Sequence, residues 1–445
     1  MKLQVAMSQQ RNLLDTLFEN YSGRPFAIEL WDGWTWYSAG SGVPACKLVI
    51  RSADAMHALL ASPSELTLGE AFIANDIDVK GDLISVFDVA EHVFHCTQGR
   101  RRQTFEVLSG VLLGLGHMAK SGRRHSQQRD RAAIAYHYDQ PATFYEPWLG
   151  KTLVYSCAYF AYQDDDLDSA QTNKLDLICR KLCLQPCERF LDIGCGWGSL
   201  ILHAASHYGV EAQGITLSEE QRRVAMERIE RARLTQSCEV DLLDYRKAVD
   251  ALPCFEKIAS VGMFEHVGLT NLPLYFRTAY MLLKPGGVFL NHGIARSYSA
   301  IEQNDSFLHG VLAPFLKNAL RLSRPHHSSF INKYVFPDGE LVTLSDAVRV
   351  AESADFEVRD VEDLREHYEL TLRHWVQGMQ QNTDTLLALV PETIYRIWLL
   401  YMAASAAAFR RGDIAVYQML LSKPEKGRCG LPLTRDHLYR TRQAS

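Results

Sequence analysis

The chain has 445 residues, more than one ordinary domain needs, and 47% of them are hydrophobic, enough for a sizeable core. A net charge of −5 gives no argument for a nucleic-acid partner. Met1 to Gln10 has no apolar h-region, so no secretory signal is expected, and the longest uncharged apolar run, Trp398 to Phe409, is too short to span a bilayer and reads as a core helix. The ten cysteines are scattered and suggest no disulfide framework, which leaves a bacterial-type cytoplasmic enzyme as the default.

Residues Phe26 to Leu83 alternate short apolar runs with turns, among them Trp31-Asp-Gly-Trp34 and Gly40-Ser-Gly42. This predicts a small α+β domain over residues 1–98. Residues 99–131 read as a basic linker. Arg100-Arg-Arg102 precedes the apolar patch Val107 to Gly116, and Lys120, Arg123, Arg124, Arg129 and Arg131 follow. A short apolar stretch with basic flanks suits an anionic membrane surface. It equally suits a linker helix buried against its own domains or against a partner subunit, as in a homodimer. The chemistry is expected in residues 132–445.

That part opens with His137-Tyr-Asp139, Phe144-Tyr145 and Tyr155-Ser-Cys-Ala-Tyr-Phe160, aromatic segments with a lone cysteine. Cys179, Cys183 and Cys187 are spaced by four; without a Cys-x-x-Cys pair or a neighbouring histidine they read as small core hydrophobes on a helix, so no metal is expected. In Arg189-Phe-Leu-Asp-Ile-Gly-Cys-Gly-Trp-Gly198 an apolar strand then runs into a glycine-rich turn. Asp192 ends the apolar run, and Gly194, Gly196 and Gly198 let backbone approach a ligand. Dinucleotide enzymes and methyltransferases both use such a turn, and a tight turn with no ligand is the plain alternative. Here Trp197 follows the second glycine and no phosphate-binding lysine is present. S-adenosylmethionine, which has no pyrophosphate, is the candidate ligand.

A regular alternation follows. Val210 to Thr216 reads as a second strand, and Ser218 to Arg233 as a helix with Ser218 as N-cap and Gln221 at the capping-box position. Cys238 to Leu243 and Lys257 to Gly262 read as the third and fourth strands. A helix over Leu272 to Leu283 stops at Lys284-Pro-Gly-Gly287, and Val288 to Ile294 reads as a fifth strand. Repeated strand–helix units predict an α/β fold with a doubly wound, mostly parallel Rossmann-like sheet. Its ligands belong at the carboxyl ends of the strands, where the glycine turn, Thr216, Asp244, Glu265 and His292 all fall.

Together with Glu265-His266, Asn291-His292-Gly293, Asn332-Lys-Tyr-Val-Phe-Pro-Asp-Gly339 and His367-Tyr368, these motifs resemble the cyclopropane fatty acid synthase family. That family includes the mycolic acid cyclopropane synthases and related lipid methyltransferases. The resemblance runs from about His137 to the C-terminus, and the N-terminal part is similar, far less specifically, to the extra domain of the longer bacterial synthases. It implies an S-adenosylmethionine-dependent C-methyltransferase that adds a methylene across double bonds of unsaturated phospholipid acyl chains. Such an enzyme would work as a peripheral protein on the inner membrane face. It further implies a bound bicarbonate ion as the base, held by Cys157, Glu265, His292, Tyr368 and the peptide group of Ile294.

Taken singly, these side chains read more plainly. Cys157 would be an inert buried thiol, Glu265 a charge at a helix N-terminus, His292 a structural hydrogen-bonder and Tyr368 a half-buried aromatic. Matched jointly, they read as a catalytic set. For the cofactor, Tyr155 and Ser156 are expected at the methionine end, and Asp192, Gly194, Cys195 and Gly196 at its carboxylate and amino groups. Thr216 and Gln221 are expected at the ribose, and Asp244 and Tyr245 around the adenine. Tyr159, Phe160, Tyr298 and Tyr334 would either face a carbocation or simply line an acyl tunnel. The chain departs from the family at Gln140-Pro141-Ala142-Thr143, where a Gly-Asn pair is usual; this touches acyl and headgroup specificity more than chemistry. Two rivals share the sequence features: a methyltransferase making methyl-branched chains or methylating a small molecule, and a lipid-binding protein without catalysis.

Overall fold

The computed structural model describes residues 12–38, 42–61, 65–97, 141–297, 334 and 340–439. The basic linker at 99–131, His137 to Gln140 and Tyr298 lie outside them. The described residues fall into two compact units. One gathers those of 1–123, 311–337 and 390–407, the other those of 124–310, 338–389 and 408–445.

The first unit holds a four-stranded sheet in the order β2-β1-β3-β4, with β1 Phe26–Glu29, β2 Thr35–Tyr37, β3 Cys46–Ile50 and β4 Ile77–Gly81. Helices α1 (Ala53–Ala61) and α2 (Glu65–Ile73) join β3 to β4, and α3 (Val86–Thr97) follows, so the unit is α+β. Trp31-Asp-Gly-Trp34 makes the β1–β2 hairpin, with Gly33 at φ +85° and Leu30 N–H donating to Trp34 O at 2.8 Å. Residues 390–407 group here although the sequence suggested an unbroken 132–445 domain. The cause is visible at Arg396, whose guanidinium donates to Phe72 O at 2.6 Å and to Ile77 O at 3.0 Å. Trp398 to Phe409 does lie in a helix, Glu392–Arg411. No helix among the described residues is long and apolar enough to cross a membrane. Tyr334 donates its hydroxyl to Glu70 at 3.2 Å within this unit.

The second unit is built on a seven-stranded sheet in the order β10-β11-β9-β8-β5-β6-β7. Its strands are β5 Arg189–Ile193, β6 Glu211–Thr216, β7 Cys238–Leu242, β8 Phe255–Val261, β9 Leu283–Arg296, β10 Glu357–Asp363 and β11 Ile414–Ser422. The pairs from β7 to β9 are parallel, and β11 is antiparallel to both neighbours. Among its helices are α4 (Ala142–Leu149), α5 (Leu167–Lys181), α6 (Ser199–Tyr208), α7 (Glu219–Arg231), α8 (Leu272–Leu282) and α9 (Arg365–Gln381). The doubly wound, mostly parallel sheet is the one its alternation predicted. Central strands must be apolar on both faces, and in β5 Phe190, Leu191 and Ile193 are each at most 2% exposed.

Three local expectations are corrected. Ser218 caps α7, accepting from Gln221 N–H at 3.2 Å, but the Gln221 side chain does not return to Ser218. Instead Thr216 Oγ1 donates to Gln221 Oε1 at 2.8 Å and accepts from Ser218 N–H at 3.2 Å. Lys284-Pro-Gly-Gly287 does not separate helix from strand: β9 starts at Leu283 and carries these residues as a wide bulge opposite β8. Gly286 N–H donates to Lys423 O at 2.8 Å, and a Cβ on Gly287 would meet Glu256 O at 2.9 Å, so glycine permits this close pairing. Finally, α5 ends at Lys181, so only Cys179 is a helical core cysteine. Cys183 and Cys187 sit in the following turn at φ +52° and +67°, with Cys187 exposed.

Candidate active site

The carboxyl ends of β5, β6 and β8 open on a cleft at the switch point, where β5 and β8 are neighbours. Tyr155, Ser156, Asp192, Gly194, Cys195, Gly196, Thr216, Gln221 and Tyr245 all face it. The glycine turn is pinned by the N–H groups of Gly194 and Cys195, which both donate to Ile215 O, at 2.9 and 3.0 Å. Gly196 stands at φ +54°, and a Cβ built on it would meet no atom within 4 Å. Its surroundings are open space on the ligand side. Asp244 is placed differently from expectation. It does not line the cleft; its Oδ1 accepts from the Arg246 backbone N–H at 3.0 Å and its Oδ2 from Arg246 Nη2 at 2.6 Å, and Arg246 lines the cleft.

Asp192 is 3% exposed, and its Oδ1 has no hydrogen-bond partner among the described residues. Burial pushes its carboxyl up to about 7, only partly opposed by Lys174. The folded chain therefore keeps a proton that the unfolded chain loses near pH 4. Stability falls as pH rises through the window from about 4 to 7, by about 1.4 kcal/mol per unit at its steepest. Asp192→Asn removes that dependence. Thermal scans of the ligand-free variant should show a stability advantage over the parent that grows from pH 5 to pH 8; a constant gap would contradict the buried-acid account.

A second cluster lies at the end of β9. Where β8 stops at Val261, Gly262 N–H takes the His292 carbonyl at 2.9 Å, and the next inward amide, Ile294 N–H, lacks a strand partner. Glu265, on the short turn Phe264–His266, fills that rung: its Oε1 accepts from Ile294 N–H at 2.8 Å. Its Oε2 is buried with no partner among the described residues, and burial raises the carboxyl to about 7. His292 is 1% exposed; Gln418 Nε2 lies 3.2 Å from its Nδ1, and with the Gln418 amide in this orientation the ring proton is assigned to Nε2. That Nε2 is likewise buried without a partner, and burial holds the ring far below its ordinary titration range, so it is neutral.

The remaining two members are tied to the same place. Cys157 is fully buried; its Sγ lies 3.2 Å from Ala158 O and 3.7 Å from Leu364 O, the carbonyl that also accepts Tyr368 N–H at 3.0 Å. Burial raises the thiol well above its usual range, so it is protonated. Leu364 N–H donates to Val416 O at 2.8 Å, and Val416 is the β11 partner of Ile294. Hydrogen bonds thus tie Leu364 to Val416 and Ile294 to Glu265, and Val416 and Ile294 sit opposite each other in the β9–β11 pair. Trp375 packs against Tyr155 of the cleft at 5.3 Å and against Tyr368 at 6.0 Å. Tyr159 stacks on His367 at 4.7 Å, and the Phe160 N–H donates to His367 Nδ1 at 3.1 Å.

Two residues escaped the sequence reading. Lys174 is 1% exposed, faces the cleft and donates to Ser156 Oγ at 2.9 Å. Its signal was a charge on the core face of α5, among buried Ala170, Gln171, Leu175 and Ile178. Gln418, also 1% exposed, is an amide on a buried strand and directly opposes His292 in the ladder.

The sequence pattern described as "Mycolic acid cyclopropane synthetase" matches residues 125–419, and a domain of unknown function matches residues 13–95. The chain is 36% identical over 420 residues to a "Probable fatty acid methyltransferase" of Pseudomonas putida, covering 94% of this chain and 96% of that one. It is 35% identical over 301 residues to the cyclopropane-fatty-acyl-phospholipid synthase of Escherichia coli K12, covering 67% and 70%. Among solved structures, the mycolic acid cyclopropane synthase CmaA1 complexed with SAH and CTAB aligns at TM-score 0.58 and 32% identity, over 65% of this chain and 97% of that one. With its parallel sheet, its glycine turn at the switch point and its buried polar cluster, the chain belongs to the cyclopropane synthase family of S-adenosylmethionine-dependent methyltransferases.

Proposed function

We propose that this enzyme is a cyclopropane-fatty-acyl-phospholipid synthase, adding a methylene from S-adenosylmethionine across a double bond of an unsaturated phospholipid acyl chain. Attack of the double bond on the sulfonium methyl leaves a carbocation, and closing the ring requires loss of one proton. Bicarbonate, when bound, would supply the base for that proton, sparing any carboxylate from alkylation. The observation that carries the reading is that Glu265 Oε2 and His292 Nε2 are buried and have no hydrogen-bond partner among the described residues. A neutral His292 offers Nε2–H to an oxyanion, and Glu265 Oε2 accepts the anion's own O–H. Cys157 Sγ and Tyr368 N–H both approach the Leu364 carbonyl. The Ile294 amide, expected to donate to the ion, is bonded to Glu265 here; in this reading it aims the carboxylate.

The test is product analysis with vesicles of unsaturated phospholipid. Proton NMR should show cyclopropane methylene signals in the recovered acyl chains. The rate should fall under carbon-dioxide-free gas and return with added bicarbonate. A rate indifferent to bicarbonate would refute the ion-held base. The second reading, methyl-branched fatty acyl products, is favoured by the near full-length match to the relative named a fatty acid methyltransferase. It shares the carbocation and differs in which proton leaves, so branch-methyl signals in place of ring signals would establish it.

A further inference from the structure

Among the described residues three lysines are buried: Lys174, Lys181 and Lys257. Lys181 has Glu362 at 2.5 Å and Asp360 at 4.0 Å, and Lys257 has Glu188 at 3.9 Å. Lys174 differs. Its Nζ bonds the Ser156 hydroxyl at 2.9 Å, and no ion pair is formed with Asp192, though the two charges influence each other. Lys174 projects from α5 and Asp192 from the end of β5, and both face the cleft with Ser156 and Gly194. An unpaired cation and an unpaired carboxylate thus face one small space. Isolated buried charges are costly unless something of opposite sign joins them. The cost is visible in both groups: burial lowers Lys174 to about 8 and raises Asp192 to about 7.

A zwitterion has the complementary arrangement, one end of each sign. We propose that Lys174 is the cationic half of a zwitterion clamp: its ammonium, with the Ser156 hydroxyl, takes the α-carboxylate of S-adenosylmethionine, and Asp192 faces the α-ammonium. The inference rests on the cleft being the S-adenosylmethionine site and is independent of which lipid product is made. It gives Lys174 a positioning role, holding the methionine end so that the sulfonium methyl has one direction to face.

The test compares S-adenosylmethionine with its decarboxylated analogue, which lacks only the α-carboxylate, by calorimetry and without lipid. A charge-assisted hydrogen bond in a buried site corresponds to about a 10- to 100-fold preference of the parent for the carboxylate-bearing ligand. Lys174→Met, a neutral side chain of similar length, should bring the two affinities together by weakening S-adenosylmethionine and leaving the analogue nearly unchanged. Lys174→Gln serves as a second neutral variant, with circular dichroism confirming the fold of each. Equal parental affinity for the two ligands would overturn the proposal without any variant. A preference that survives in the folded variants, or an equal loss for both ligands, would also overturn it and leave Lys174 as a prop for Ser156.

Discussion

Glutamine in place of Glu265 is expected to slow turnover by about two to three orders of magnitude while S-adenosylmethionine affinity barely moves. The substitution keeps the size of the side chain and its bond from Ile294 N–H, at 2.8 Å in the parent. What changes is the other terminus. Where Oε2 could accept a hydrogen bond, an amide NH₂ now donates, so it cannot take the O–H of an anion. The pH profile gives a second handle. Burial lifts Glu265 to about 7 against the opposing pull of the Ile294 amide. The carboxylate, the only form with two acceptor oxygens, is therefore populated above about pH 7. The parental rate at saturating substrate should rise through that pH, and the Gln variant should stay flat across it. A variant with the parental rate, or a parental profile flat from pH 6 to 8, would remove Glu265 from the chemistry.

Gly196→Val is expected to weaken S-adenosylmethionine by at least about 100-fold with the protein still folded. The left-handed backbone at φ +54° costs an L-residue about 1–2 kcal/mol, which lowers the melting temperature by a few degrees. Among the described residues, chain neighbours aside, no atom lies within 4 Å of the new Cβ, so the remaining damage is expected to fall on whatever the cleft binds. Gly194 would be a poorer test, since a Cβ there meets Met263 Cβ at 3.0 Å and mixes loss of fold with loss of binding. Near-parental affinity in the folded Val variant, by calorimetry, would mean the ligand does not pass over this turn.

Strands β5 to β9 were legible in the sequence because parallel strands are buried on both faces, and a run such as Phe-Leu-Asp-Ile has few other readings. The catalytic candidates were legible through spaced motifs. Strands β10 and β11 were not. Glu357-Val-Arg-Asp-Val-Glu-Asp363 is charged at every place but Val358 and Val361 and pairs only as an edge strand, its exposure alternating along its length. β11 enters between β9 and β10, a non-local choice that no local pattern dictates. Lys284-Pro-Gly-Gly287 was misread because breaker residues also make wide bulges. The Asp244–Arg246 pairing was not legible, since nothing in the local pattern announces that the guanidinium two residues on takes up the carboxylate. Lys174 and Gln418 were missed because a polar residue within an apolar period looks like an interruption until its partner is known.

The insertion of β11 also orders events in time. Val416 and Gln418 are among the last residues of the candidate site to leave the ribosome, whereas the cleft for the methyl donor is built from residues up to His266. A growing chain can complete the donor cleft while Leu364 still lacks Val416 and His292 lacks Gln418. A chain that stops short of β11 would carry every described residue that lines the cleft and neither Val416 nor Gln418.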